Sequence, residues 1–464
     1  YTDRDIDVSR DASALTGSIT IDFGFGEEAA RLPSNLLDTT DLEHTTHEFR
    51  LSSNDDGALN WVAGVFYSDT ERDYSQTLPT AGYDNAIDAA NGEGSAADTY
   101  VNGFGPNSPF NSELGYDIEQ TAVFGEATYS FTDRFNLTIG ARWYDFEETR
   151  DIIQDGIFSS YADQTDKTES DGFTPRILAA YDISDAVTLN AQASQGFRLG
   201  GVNDPLNTPL CSAEDLKIFG GFQDYDDETL WNYEIGMKSM WDRVRLNAAV
   251  FYTDIEDLQV TLDAGTCSSR VSFNVEEAHT LGGELELTAY ITDDLVLTFA
   301  GSVVEAEFDS TVVDGDGNVV GGVEDGNRLA SVPEWQFSLG GTYNFGSIFG
   351  AEESYVSLWW QAVGDRITQP SDQLSGAGTF QAGRPFAGMT GDEVFTADAE
   401  LDSYDLVNLS AGLNYDAWDF VVYVNNLTDE LALLSFDRER GGTARIGYRV
   451  NQPRTYGLTA RYNF

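Results

Sequence analysis

Arg198 is the residue whose setting most invites a ligand. It follows Phe197, precedes the pair Gly200-Gly201, and has Asn203 close behind it. A guanidinium presents fixed donors that fit a carboxylate or another anionic ligand. The same residues also make sense as loop architecture, the glycines shaping the backbone and Arg198 pairing with nearby acids. A second group is Asp314, Asp316, Asn318 and Asp325, whose oxygens fall at the first, third, fifth and twelfth places of a calcium loop. Val319 stands at the sixth place, where such a loop needs glycine, and an ordinary turn built on Asp-Gly pairs accounts for the same residues. Structural calcium is therefore one of two readings there, and no other cofactor is expected. His44, His47 and His279 are sparse, and His44 and His47 fall on opposite faces of a strand. Cys211 and Cys267 form no CxxC, so no zinc cluster is expected. With no GxSxG, no triad spacing and no phosphate-binding loop, the chain is not expected to be an enzyme.

The elements that must position these residues are strands of period two. In Tyr456 to Phe464 the apolar or small residues Tyr456, Leu458, Ala460, Tyr462 and Phe464 alternate with Gly457, Thr459, Arg461 and Asn463. From about Phe49 onward the chain repeats strand, tight polar turn, strand, long loop. Val123, Gly125, Ala127, Tyr129 and Phe131 share one face, a turn follows at Thr132-Asp133, and Phe135, Leu137, Ile139, Ala141 and Trp143 return. Polar residues such as Glu126, Glu284 and Glu286 occupy the other face, where contact with water suits them better than acid–base chemistry. Alternation alone also fits a soluble sandwich. Three features favour an antiparallel transmembrane β-barrel: strands longer than usual, aromatics beside the turns, and short turns alternating with long loops. About sixteen or seventeen strands are legible, the first within Asp3–Ser9. Long loops are expected near 74–116, 149–171, 199–228, 309–331, 366–402 and 428–452.

Composition sets the outer limits. The 464 residues carry 79 acidic against 25 basic side chains, a net charge of −54, which excludes nucleic acid as a partner. Between Arg72 and Arg134 there are ten acids and no base, read as solubility and self-repulsion of loops or as attraction of cations. No apolar run approaches the length of a transmembrane helix, which leaves a barrel open. The start at Tyr1 shows no signal peptide, and the expectation is a mature or truncated chain whose upstream part is missing.

Several segments, in order and spacing, resemble TonB-dependent outer-membrane receptors over nearly the whole chain. They include Glu48-Phe49-Arg50-Leu51-Ser52-Ser53 leading to Trp61-Val62-Ala63-Gly64-Val65-Phe66-Tyr67, and Leu137-Thr138-Ile139-Gly140-Ala141-Arg142-Trp143. Ser194-Gln195-Gly196-Phe197-Arg198-Leu199-Gly200-Gly201-Val202-Asn203 and Val424-Asn425-Asn426-Leu427-Thr428-Asp429 continue the likeness. The resemblance implies a barrel of about 22 strands with a plugged lumen, driven by the TonB-ExbB-ExbD complex through a TonB box. It implies uptake of a scarce large nutrient, a ferric siderophore by default, across the outer membrane of a Gram-negative bacterium, with the long loops extracellular. Lipid and lipopolysaccharide would surround it. Neither plug nor TonB box is legible before the strands, so residues 1–464 are read as the barrel domain, incomplete on its N-terminal side. A passive porin or a structural barrel partner is the alternative. Cys211 and Cys267 lie in successive outer loops, where oxidising conditions favour a disulfide between them.

Overall fold

The computed structural model describes residues 1–54, 57–96, 104–381, 390 and 393–464. Its wall is one antiparallel sheet of 16 strands, each bonded to its neighbour in sequence. In chain order these are β1 (Thr2–Asp11), β2 (Asn35–Ser52), β3 (Leu59–Thr77), β4 (Asn111–Thr132), β5 (Phe135–Asp155) and β6 (Ala162–Ser184). Next come β7 (Val187–Arg198), β8 (Glu228–Met240), β9 (Val244–Asp263), β10 (Arg270–Tyr290) and β11 (Leu295–Phe308). The wall ends with β12 (Trp335–Asn344), β13 (Glu353–Val363), β14 (Tyr404–Tyr415), β15 (Trp418–Asn425) and β16 (Thr455–Tyr462). At its two edges β1 bonds to β2 and β16 to β15. Among the described residues no helix is long and apolar enough to cross a membrane.

Register explains the lipid band. Val65, Val123, Trp143 and Phe173 lie in one cross-strand row, and Ile235 lies opposite Val250. These side chains stay open to the surroundings: Ile139 is 57 % exposed, Ile235 63 % and Val250 58 %. A contiguous apolar belt of that extent is stable against hydrocarbon and not against water. At the short-turn end the rings of Tyr129 and Phe131, Tyr343 and Phe345, and Trp418 and Phe420 pack side by side. That places an aromatic girdle where lipid meets water. Asp416, with φ 38°, sits in the turn between β14 and β15, a left-handed position that aspartate tolerates better than most residues.

The loop end differs from the sequence expectation in two places. The segment 149–171 is mostly strand, since β5 runs to Asp155 and β6 starts at Ala162. The loop expected at 74–116 narrows to 78–110 because β3 and β4 continue beyond the lipid. Above the belt the outward face turns from apolar to acidic, while inward Leu114, Ile152 and Ala162 pack in a small core, so the lipid-facing alternation fades while pairing persists. Parts of the loops near 74–116 and 366–402 lie outside the described residues. The loops also carry their own structure: helices α1 (Ser13–Asp22), α2 (Glu27–Ala30), α3 (Tyr83–Asn91) and α4 (Ala213–Phe219), and short strand pairs such as Leu433–Glu439 with Arg445–Val450.

The projecting part of β1–β6 turns a row of acids outward. Asp5 lies opposite Asp41, and Asp41 opposite Asp73; Asp69 lies opposite Glu119, Glu119 opposite Glu147, and Glu147 opposite Glu169. Lys167 answers two of them, at 2.8 Å from Glu147 and 3.7 Å from Glu169. The long acidic stretch of the sequence thus lies partly on the wall itself.

Candidate functional site

The loops are packed against one another and hold hydrophobic cores of their own. One core joins Ile19 of α1, Tyr83 and Ile87 of α3, Phe158 and Leu210. Phe158 meets Tyr83 edge to face at 5.9 Å, and the buried Tyr83 hydroxyl shares a 2.8 Å hydrogen bond with Thr20. Burial pushes the Tyr83 phenol well above its ordinary pKa. A second core gathers Phe219, Phe273, Phe308, Val320 and Val323 around the upper ends of β9 and β10. A third joins Phe380, Leu401 and Phe436.

Under this packed roof lies a chamber of about 430 Å³. Its floor and sides are Tyr74 and Gln76 of β3, Ser112 and Leu114 of β4, and Gln154 of β5. Loop residues Asp204, Leu210, Gly265, Arg438 and Arg440 close over it, together with Arg10, Asp263 and Arg270. The lining mixes rings, amides and paired charges, a combination that can hold a large polar ligand with apolar parts. Arg10 stands 3.6 Å from Asp38, and Arg270 3.2 Å from Asp263. Arg438 reaches the fully buried Asp372 at 2.6 Å. Arg150, buried on β5, donates to the Tyr116 hydroxyl at 2.7 Å, to the Val202 carbonyl and to Asp204. Arg440 is buried and bridges several loops; burial lowers its pKa from the ordinary guanidinium value.

The residues singled out in the sequence lie elsewhere. Among the described residues, Phe197, Arg198 and Asn203 are absent from the chamber lining. The Phe197 ring stacks on Tyr144 at 3.7 Å, and Asn203 donates to the Phe222 and Ser272 carbonyls at 3.1 and 2.7 Å. Both act as struts between loop and wall. Arg198 is the open member, 61 % exposed and 3.9 Å from Glu228.

Asp314 accepts hydrogen bonds from the Asp316 and Asn318 amides at 2.8 and 2.9 Å and from the Asn318 side chain at 3.0 Å. Lys217 of α4 lies 3.8 Å from Asp314 and bonds Asp316, while the Asp325 amide donates to Thr311 at 3.0 Å. The four residues thus make a turn and its anchor. Among the described residues, the set whose ligand atoms converge within 4.8 Å is Asp3, Asp5 and Asp41, all exposed. Cys211 and Cys267 are joined in a disulfide with Cα atoms 4.1 Å apart. The chamber arginines were not found from sequence. Their one signal was rarity: 25 basic residues in 464, several of them within Arg438 to Arg454.

A family model described as TonB dependent receptor-like, beta-barrel matches residues 1–427. The pesticin receptor of Yersinia pestis is 24% identical over 365 residues, covering 77% of this chain and 46% of the relative. The metal-pseudopaline receptor of Pseudomonas aeruginosa is 25% identical over 277 residues, 58% of this chain and 34% of that one. Among solved structures, the ferric yersiniabactin uptake receptor of Yersinia pestis superposes with a TM-score of 0.67 at 18% identity, covering 93% of this chain and 55% of the other. The ferripyoverdine receptor of the Pseudomonas aeruginosa outer membrane gives 0.56 at 17% identity, covering 93% and 50%. The chain spans about half the length of the curated relatives it matches, 46% of the pesticin receptor.

Proposed function

Because this chain belongs to the TonB dependent receptor-like, beta-barrel family, we propose that it forms the wall and ligand-capturing loops of an active outer-membrane importer for a ferric siderophore. The observation that carries the reading is the loop-lined chamber of about 430 Å³, a recess shaped to hold a ligand at the loop end of the wall. Packed loops with their own cores suit capture from dilute solution; a passive porin is disfavoured. The lining suits a chelate, because arginines can meet anionic groups and Tyr74 and Phe158 can meet rings.

In this reading the long loops face outside and the short turns face the periplasm. The energy comes from TonB with ExbB and ExbD, acting through a plug and TonB box outside residues 1–464. The chain's own chemistry in this reading is ligand binding. Relatives named as a siderophore receptor and a metal-pseudopaline receptor support the substrate class.

The test is accumulation of radioiron supplied as ferric siderophores to cells expressing the full-length protein. Uptake that needs both this protein and TonB is expected. Uptake that persists without TonB would replace the active importer by a passive pore.

A further inference from the structure

We propose that the loop tip Arg440-Gly441-Gly442 is a latch that ties the loops together over the chamber and restricts access to it, and that the Cys211–Cys267 disulfide holds its catch. Arg440 donates from Nε to the Thr266 carbonyl at 3.3 Å and from Nη2 to the Leu210 carbonyl at 3.4 Å. Leu210 precedes Cys211 and Thr266 precedes Cys267, so one covalent bond keeps both acceptors side by side. The other guanidinium nitrogen, Nη1, meets Ser18 Oγ at 3.3 Å and the Asp22 carboxylate of α1. One side chain from the last loop thereby ties the first loop to the stapled pair.

The backbone of the tip is built to insert. Arg440, Gly441 and Gly442 are all left-handed, with φ of 57°, 63° and 91°. A Cβ on Gly441 would come 3.6 Å from Gly265, and one on Gly442 would come 2.4 Å from the Phe380 ring. Gly442 is what lets the tip settle against the Phe380 loop, and Gly441 supplies the left-handed turn beside the staple. Arg440 also lines the chamber beneath.

The same features make the latch releasable. A buried guanidinium gains its hydrogen bonds at the expense of its hydration, so the net preference for the seated state is small. A left-handed non-glycine residue adds a further cost to that state. The withdrawn tip is therefore a minor state, roughly 0.1–1% of molecules, rare enough to hold the loops and frequent enough for a gate. The latch rests on the chamber being the ligand site, but its test uses no ligand.

The experiment places Ser112→Cys, a chamber wall position 5% exposed, in the full-length protein in outer-membrane vesicles. The rate of labelling by a small maleimide reports opening. Arg440→Ala and the double variant Cys211→Ser with Cys267→Ser are each expected to speed labelling roughly ten- to hundredfold, the effect of losing charged hydrogen bonds on a local opening equilibrium. Arg440→Lys, which keeps the charge but loses the fork, falls between. Heat-modifiable migration on gels checks that the wall is folded; should Arg440→Ala fail it, Asp22→Asn weakens the latch from the other side. Folded variants that label at the parent rate overturn the latch. Faster labelling in a protein that binds no ferric siderophore keeps the latch and removes the substrate reading.

Discussion

The rings of Tyr144 and Phe197 lie parallel, 8° between planes and 3.7 Å between centroids. Beneath them Gly172 leaves no room: a Cβ there would come 2.5 Å from the Tyr144 ring. Tyr144 in turn donates to Asp227 at 3.0 Å, and the Gly200 amide donates to the same carboxylate at 2.7 Å. The stack and the shared Asp227 tie the loop after β7 to the wall. Gly172→Val is expected to displace the ring and destabilise the fold by about 1–3 kcal/mol. The check is a lower unfolding temperature together with faster proteolysis within 199–227.

The pair Arg438–Asp372 carries a different risk. Asp372 is fully buried and also accepts from the Thr368 and Gln369 amides at 2.9 and 2.8 Å. Arg438→Ala leaves that carboxylate without its counter-charge, an expected loss of about 3–5 kcal/mol of local stability. Hydrogen exchange across 366–381 would show it. Arg31→Ala, which breaks the exposed pair with Glu27 at 2.8 Å, should leave stability unchanged.

Acid should spare the turn at 314–318 until late. The Asn318 side chain and amide, then the Asp316 amide and Lys217, hold the Asp314 carboxyl down at about 2. A depressed carboxyl stabilises the fold above its unfolded pKa and loses that contribution as pH falls through the folded value. The turn should therefore persist at pH 4 and loosen near pH 2, with the Asp314 carboxyl resonance titrating there. Asn318→Ala should move that midpoint up. Millimolar calcium should leave it in place if the amides and Lys217 occupy the carboxylate.

The lipid belt predicts a strong sidedness. Ile235→Lys places a charge among hydrocarbon at a position 63 % exposed, at an expected cost of about 2–4 kcal/mol if it lies near the bilayer midplane. Its neighbour Glu234 lies on the opposite face of β8, so Glu234→Lys should be tolerated. Folding into lipid vesicles measures both.

The wall was legible because β4, β5 and β15 repeat a two-residue period over a uniform environment. Val123 and Ile139 announce lipid whatever their neighbours do. The projecting ends of β5 and β6 were not legible, because their outward positions, such as Glu147, Thr149 and Glu169, are polar and their inward apolar residues Tyr144, Phe146 and Ile152 alternate with charges instead of lipid-facing side chains. α1 was hidden by β-branched and polar residues, Thr16, Ser18 and Thr20, which are buried by packing rather than favoured by helix propensity. Arg198 drew attention through its glycines, yet Arg440 governs more contacts. Its importance comes from loops that meet only in space, Leu210 and Thr266 among them. No local spacing could reveal that.

The outward carboxylates of β1–β6 give the molecule a flank that like-charged neighbours avoid. Directly opposed acids such as Asp5, Asp41 and Asp73 make a fixed electric fence whose reach is set by the medium, about 10 Å at 0.1 M salt and about 30 Å at 0.01 M. Dilution of the surroundings should therefore widen the spacing between this flank and any anionic neighbour, and concentrated salt should let the two touch. How crowded the protein becomes in its membrane is thus answerable to ionic strength, independently of anything held inside it.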